Sequence, residues 1–317
     1  MAAIVEGVSV AIEALTTEFE RHRDYLIGVA YRITGTLADA EDAVQEAWLR
    51  LSKLDADQAS QLRDLRAWLT TVVSRIGLDR LRTAVARRER YMGPWLPEPI
   101  VTPLSEQPDD PLSRVVRDDG VRMAAMVVLE RLSPAQRVAF VLHDAFAVPF
   151  NEIAEILDCS AATARQHASR GRRMVADADP PARASMAQQQ ELLSALTSAV
   201  RSGDLDALVQ LLHPQVIVVG DADGKERTAR RPVIGARNVA RFFLGLLRLY
   251  GDYGLNHATP VLVNGDLGLF IPAEPEQGER PSIARRVDTV SVRDGKIAAL
   301  YDMVNPDKLT RLPQNLQ

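Results

Sequence analysis

The chain is short of most features that would point to small-molecule chemistry. Cysteine occurs once in 317 residues, as Cys159, so no internal disulfide can form and a reducing compartment suits the protein. No Cys/His set has metal-ligand spacing, and there is no glycine loop of the phosphate-binding kind. No apolar run approaches the ~20 residues needed to span a bilayer. The first residues, MAAIVEGVSVAIEAL, lack a basic start and carry Glu6 and Glu13, which makes a poor export signal. A large charge excess is also missing. The net charge is −4, so a nucleic-acid partner must be met by a local basic patch. Neither internal repeats nor low-complexity tracts occur. The expectation is a cytoplasmic protein with no metal, no cofactor and no membrane partner. Its length suits about two to three domains of ~100–150 residues.

What is present is segregated charge on helical patterns. In DAEDAVQEAWLRLSKL, Ala40, Ala43, Val44, Ala47, Leu51 and Leu54 recur at helical spacing. Asp39, Glu41, Asp42 and Glu46 give this helix, placed at 39–54, an acidic face with no base in residues 39–46. The next helix repeats the pattern through Leu65, Trp68, Leu69, Val72, Ile76 and Leu81, and residues 63–90 hold eight arginines. Trp68, Arg75, Arg80 and Arg82 combine an aromatic with positive charge, which suits backbone gripping and stacking on unpaired bases. Trp68 also falls on the apolar stripe, where core packing is the plainer role.

Residues 93–119 form a linker with six prolines, which excludes regular helix there. Its start, YMGPWLPEP, is stiff and apolar. Helices resume near Val121. Ser133, Pro134 and Gln136 spell a capping box with proline at the first helical position. Then PFNEIAEILDCSAATARQHASRGRRM, residues 149–174, has helix-turn-helix spacing. Ala154 lets the helices approach, Ser160 caps the second helix, and Ala164 and Ala168 face inward. Outward lie Thr163, Arg165, Gln166, His167, Arg170 and Arg173, and residues 160–174 carry four arginines and no acid. Such a helix fits a major groove; a solvated basic hairpin is the plainer alternative. Asp158 stands where the turn usually has glycine, and aspartate tolerates the left-handed conformation.

The order of these parts resembles the extracytoplasmic-function group of bacterial sigma factors, over residues ~17–92 and ~112–176. The resemblance implies that residues 1–92 act as sigma region 2 and 120–176 as region 4. Region 2 would bind the β′ clamp helices of core RNA polymerase through Asp39, Glu41, Asp42, Gln45 and Glu46. It would also melt the −10 promoter element by flipping a base, with Trp68, Arg75, Arg80 and Arg82 as candidates. Ser74-Arg75 replaces a common Thr-Asn, so base preference at −10 does not carry over. Region 4 would meet the polymerase β flap and read the −35 element through Ser160, Thr163, Arg165, Gln166, His167, Arg170 and Arg173.

WLPEP in the linker, Asp223-Gly224-Lys225 and Asn305-Pro-Asp-Lys-Leu309 resemble the subgroup with a C-terminal SnoaL-like domain, a cone also seen in nuclear transport factor 2. GDADGKER has fewer glycines than that subgroup's usual motif. The implied fold class is two all-α domains, the second a helix-turn-helix, followed after a linker at 177–189 by an α+β cone at 190–317. Helices at about 188–202, 204–212 and 237–250 and strands in HPQVIVVGD, NHATPVLVN, LGLFIPA, ARRVDTVSVRDG and KIAALYDMV fit it, with Asn264-Gly265 and Asp294-Gly295 as hairpin turns. The resemblance implies regulation in cis. We expect Trp95, Leu96 and Pro97 to meet Asn305, Pro306, Asp307, Lys308 and Leu309, with Trp95 as a buried anchor. Acid–base candidates in the cone are His213, Asp221, His257 and Asp302; no spacing forces any two into one pocket, and no catalytic residue is assigned. A small-molecule ligand of the cone stays open. A one-component helix-turn-helix regulator with a ligand-sensing C-terminal domain is the alternative reading, and an enzyme fused to a DNA reader the third.

Overall fold

The computed structural model describes residues 2–55, 58, 61–104, 115, 119–313 and 316, with side chains from residue 15 onward. Most of the linker's second half, Pro108 and Pro111 included, lies outside the described residues. The chain forms two compact units, one of residues 1–86 with 128–178, the other of residues 87–127 with 179–317.

In the first unit, α1 (Ala2–Thr34), α2 (Leu37–Leu51) and α3 (Leu65–Arg88) share a core. Thr36 opens α2 by accepting the Asp39 N–H at 3.3 Å. Leu37, Ala40, Ala43, Val44, Ala47 and Leu51 are buried at intervals of three and four, one stripe of the helix. Gly77 of α3 permits a close crossing, since a Cβ there would lie 3.1 Å from Ile33. Then come α4 (Met123–Leu129), whose last two residues belong to this unit, and α5 (Pro134–Phe140), α6 (Phe150–Leu157) and α7 (Ala161–Ala178). The capping box of Ser133 and Gln136 is present as expected. Residues 141–145, which local spacing did not single out, form a π-helical turn.

The later helices pack directly on the earlier ones. Arg137, 1% exposed, donates from Nε to the Arg32 carbonyl at 2.7 Å and pairs with Glu130. Tyr25 meets Phe146 edge-on at 5.2 Å, and Arg75 Nη2 donates to the Glu155 carbonyl at 3.1 Å. The two helical segments thus make one unit.

In the second unit, α8 (Met186–Ser202) and α9 (Leu205–Leu211) precede β2 (Leu212–Asp221) and β3 (Val233–Ile234). Next are α10 (Ala236–Tyr250), α11 (Tyr253–His257), β4 (Thr259–Val263), β5 (Asp266–Ile271), β6 (Arg286–Arg293) and β7 (Lys296–Met303). β4 to β7 form the expected antiparallel meander, and both hairpins turn on residues of positive φ, Asn264-Gly265 and Asp294-Gly295. Two details depart from expectation. Asn256 and His257, read as the start of a strand, close α11. The linker itself supplies β1 (Val101–Thr102), paired with β4, so the sheet runs β1-β4-β5-β6-β7-β2-β3. A two-residue edge strand beside prolines leaves no period to read.

The alternation of the strands gives the sheet two apolar faces. Leu267, Val290 and Leu300 face Leu193, Leu196 and Leu208 of α8 and α9. Val263, Phe270, Val287, Tyr301 and Met303 face Leu96 and Val101 of the linker, Met123 and Ala124 of α4, and the tail residues Leu309 and Leu312. Helices cover one side of the cone, and the linker covers the other. The fold class is the one expected: helical segments with a helix-turn-helix, then an α+β SnoaL-like cone.

Candidate nucleic-acid interface and linker site

The turn between α6 and α7 is built on Asp158, held at φ 53°, as the sequence anticipates. Ser160 Oγ accepts the Thr163 N–H at 3.1 Å and meets Thr163 Oγ1 at 2.9 Å, so both hydroxyls serve the cap. Ala164, Ala168 and Gly171 are buried; a Cβ on Gly171 would come within 2.9 Å of Phe140. Arg165, Gln166, Arg170 and Arg173 stand exposed on the opposite face, while His167 is half-buried. Arg172 is held to Asp144 by two hydrogen bonds, 2.8 and 3.1 Å, and the paired carboxylate raises its pKa. Cys159 is half-buried in the turn; burial, then the Asp158 charge, push its thiol above the ordinary value, away from thiolate reactivity.

On α2, Asp42 and Gln45 are exposed and Asp39, Glu41 and Glu46 half-exposed. Leu49, 49% exposed, lies one turn beyond Gln45 on the same face, an apolar spot that charge counting overlooked. Arg80 Nη1 bridges Asp39 and Asp42, 3.1 Å from each, so α3 and α2 are tied by the very residues assigned to DNA and to polymerase. Arg75 is engaged with Glu155, Arg82 lies 3.5 Å from Asp79, and Trp68 is half-buried.

The linker site converges on Asp221, which is fully buried. Its carboxylate accepts from the Leu96 N–H at 2.6 Å, from Lys308 Nζ at 2.7 Å, and from the Tyr91 hydroxyl. Lys308 Nζ also donates to the Leu96 carbonyl at 2.5 Å, and Asn305 Nδ2 donates to the Tyr91 hydroxyl at 2.7 Å. Both backbone polar groups of Leu96 are therefore taken by one ion pair. Burial, then the Asp221 charge, push Tyr91 far above the ordinary phenol range, so it stays a donor. Gly224 leaves room for Met92, whose Sδ would sit 2.9 Å from a Cβ there, and Met92 N–H donates to Asp223 at 3.2 Å. Lys225 pairs with Asp307. Among the linker and tail residues singled out in the sequence, Leu96, Pro97, Asn305, Lys308 and Leu309 are buried and Pro306 and Asp307 exposed. Trp95 is not the buried anchor. It is half-buried, with Lys308 Nζ 3.9 Å and the Arg88 guanidinium 3.4 Å from its ring centre. Leu96, at 1% exposure, is the residue driven into the core. The half-exposed Arg88 and the buried Lys308 both lie against the indole, and the apolar depth falls to its neighbour.

Family models for Sigma-70 region 2 and Sigma-70 region 4 match residues 19–87 and 122–175. The chain is 51% identical over 307 residues to the ECF RNA polymerase sigma factor SigJ of Mycobacterium tuberculosis (strain ATCC 25618 / H37Rv), covering 94% of each. The chain belongs to the ECF RNA polymerase sigma factors. It is also 33% identical to the probable ECF sigma factor SigI of Mycobacterium tuberculosis (strain CDC 1551 / Oshkosh), over 96% of this chain and 98% of that one. The crystal structure of Mycobacterium tuberculosis SigJ superposes with a TM-score of 0.79 at 49% identity, covering 95% of this chain and 100% of that one. As an alternative sigma factor the chain binds core RNA polymerase and promoter DNA to initiate transcription. The one-component regulator reading is not favoured.

In this sigma factor the four acid–base candidates of the cone are not gathered in one place. His213 Nδ1 accepts the Gln215 N–H at 3.2 Å, and His257 stacks on Tyr253 at 4.0 Å. Asp221 is covered by the linker, and Asp302 lies on β7. Sequence reasoning missed a second linker clasp. Asn264 accepts the Ile100 N–H at 3.0 Å and donates to the Val121 carbonyl at 2.6 Å. Beside it Arg122 pairs with Asp266 at 2.8 Å, both nearly inaccessible. Asn264 was legible only as a turn residue; its side chain reaches partners 143 and 164 residues away. Among the described residues no helix is long and apolar enough to cross a membrane, and no acidic or Cys/His cluster could hold a metal.

Proposed function

We propose that the C-terminal cone regulates this sigma factor in cis by clasping both ends of the inter-domain linker, and so sets how the two promoter-reading segments are deployed. The observation that carries this is the buried Asp221–Lys308 pair holding the N–H and C=O of Leu96. The Asn264 and Arg122 contacts hold the linker's other end, where the chain enters α4. A segment fixed at both ends cannot lengthen, so the reach between α3 and α7 depends on whether the cone keeps its grip.

In this reading α7 enters the major groove at −35 through Arg165, Gln166, Arg170 and Arg173, with His167 at its edge and Ser160 and Thr163 fixing the helix start. α3 approaches −10 through Trp68, Arg75, Arg80 and Arg82. The α2 face of Asp39, Glu41, Asp42, Gln45 and Glu46, with Leu49 at its apolar end, docks on the β′ clamp helices, and region 4 meets the β flap. Elements at −35 and −10 are separated by about 25 base pairs, ~85 Å at ~3.4 Å per step. A unit in which Arg75 hydrogen-bonds Glu155 cannot span that distance, so the helical unit described here is a closed form that opens on polymerase and promoter. Opening releases Arg75 for DNA, and polymerase competes for the acids that Arg80 bridges. The cone acts as a non-catalytic regulatory domain, with room for a small-molecule ligand, and the site of action is the cytoplasm.

Adding the protein to purified core polymerase tests this reading. Promoter-dependent transcription without another sigma factor is expected, and its level changes on deleting residues 190–317. Trp95→Ala, which removes the ring under Lys308, gives part of that change. If neither alteration affects transcription, regulation by the cone is wrong.

A further inference from the structure

The segment around α10 carries charge that the fold does not use. Residues 227–251 hold six arginines and no acid, in a chain whose net charge is −4. Three of them, Arg237, Arg241 and Arg248, fall within about 40° of one another around α10, at ~100° per residue. All three are exposed, and none has an ion-pair or hydrogen-bond partner among the described residues. The other side of the helix is committed to the cone, where Val239, Ala240 and Phe243 pack over the sheet.

Three local choices on the exposed side oppose helix stability. Arg237 stands in the first turn, where the helix dipole disfavours a cation. Arg237 and Arg241 are like charges at i, i+4. Gly245 lies inside the helix, where glycine is a poor choice, and a Cβ there would meet nothing within 4 Å. Packing within the chain therefore does not call for a glycine. Gly245 is exposed, four residues after Arg241 and three before Arg248, so it borders both. A bare stretch of backbone between two cations lets an anionic chain come close.

Charge and shape select the occupant. The three arginines span roughly 16 Å along the helix at ~1.5 Å per residue, about five steps of duplex at ~3.4 Å each. A duplex offers negative charge at every step, which suits a row of one sign with no acid in it. A bilayer would need the apolar face of α10, and the cone has buried that face. Promoter DNA is already a partner of this sigma factor.

We propose that the exposed face of α10 is a further DNA-contacting surface, a sequence-independent grip on duplex phosphates through Arg237, Arg241 and Arg248, with Gly245 admitting the strand. The cone then adds affinity for promoter DNA without reading its sequence. This role goes beyond the linker clasp and does not depend on it.

The test uses the full chain without polymerase and a fluorescein-labelled random-sequence duplex of about 20 base pairs, with anisotropy read from ~50 to ~200 mM salt. Replacing all three residues with glutamine (Arg237→Gln, Arg241→Gln, Arg248→Gln) should lower the slope of log affinity against log salt by about two to three, and weaken binding at least about tenfold at ~100 mM. Lysine at the same three positions should keep the slope within about half a unit. Gly245→Leu, which changes no charge, should weaken binding at least about threefold. Melting curves should show every variant folded, since all four positions are exposed; the single glutamine variants, each lowering the slope by about one, decide if the triple variant is not. Equal slopes for the wild type and the glutamine variants overturn the proposal, as does a wild type that fails to bind the duplex at the lowest salt. An effect of the glutamine variants with none from Gly245→Leu is a general field effect and overturns the contact. Loss of binding to phosphatidylserine vesicles with duplex binding intact makes the face a membrane contact and overturns it too.

Discussion

Replacing Lys308 with methionine keeps most of the side chain's volume and removes only its charge and donors. Lys308 is 8% exposed and Asp221 fully buried, so the substitution strands a carboxylate without a cation. Asp221 would keep the Leu96 N–H and the Tyr91 hydroxyl, and the Leu96 carbonyl would lose its partner. Breaking one half of a buried ion pair costs about 3–5 kcal/mol, because the remaining charge stays desolvated. Asp221→Asn should cost a similar amount for the mirror reason. The double variant Lys308→Met/Asp221→Asn removes both charges, and should be about 2–3 kcal/mol more stable than the sum of the two single losses predicts. Urea unfolding followed by tryptophan fluorescence reads the change directly, since Trp95 lies 3.9 Å from the lysine. A loss below about 1 kcal/mol for Lys308→Met, or simple additivity in the double variant, would refute the reasoning.

Three further outcomes are expected. Arg165→Ala and Gln166→Ala should each weaken promoter binding by about 1–3 kcal/mol with a change in −35 preference, whereas a phosphate-contacting arginine should lower affinity on all sequences and reduce the salt slope by about one, as measured by fluorescence anisotropy. Leu49→Asp, on an exposed position, should leave the melting temperature nearly unchanged but reduce core polymerase binding in a pull-down titration. Asp288 is kept protonated by burial and by the neighbouring Asp302, so its contribution to stability is complete below the unfolded carboxylate pKa of about 4 and is lost as pH rises through the raised folded value. Asp288→Asn should therefore flatten the fall in stability above about pH 4 in denaturation curves collected against pH; an unchanged slope would contradict the assignment.

Local physics made much of this structure legible. The caps at Ser133 and Ser160, the left-handed Asp158 and the two Asn-Gly and Asp-Gly hairpins follow from the bonding and φ preferences of single residues. The apolar stripe of α2 follows from helical period, whereas α3 is buried nearly all round between Leu69 and Leu78 and its period says less. What escaped is set by partners far along the chain. Leu96 and Lys308, 212 residues apart, are expected to meet on the strength of the resemblance, but a lysine in a polar terminal stretch carries no sign that it is buried. Asp221 stands out only as an acid–base candidate of the cone, yet it is the centre of the linker site. Trp95 misled for a related reason: size alone suggested depth, whereas the ring is half-buried against Arg88 and Lys308.

The spacer dependence of transcription tests the central claim most directly. Run-off transcription with purified core polymerase would be measured on promoters whose −35 to −10 spacer changes one base pair at a time, for the wild type and for Lys308→Met at a temperature where both are folded. The account predicts a sharp optimum for the wild type and a broadened or displaced optimum for the variant, because a linker released at Leu96 no longer fixes the reach between α3 and α7. Identical spacer profiles, with Lys308→Met measurably destabilised in the cone, would contradict it.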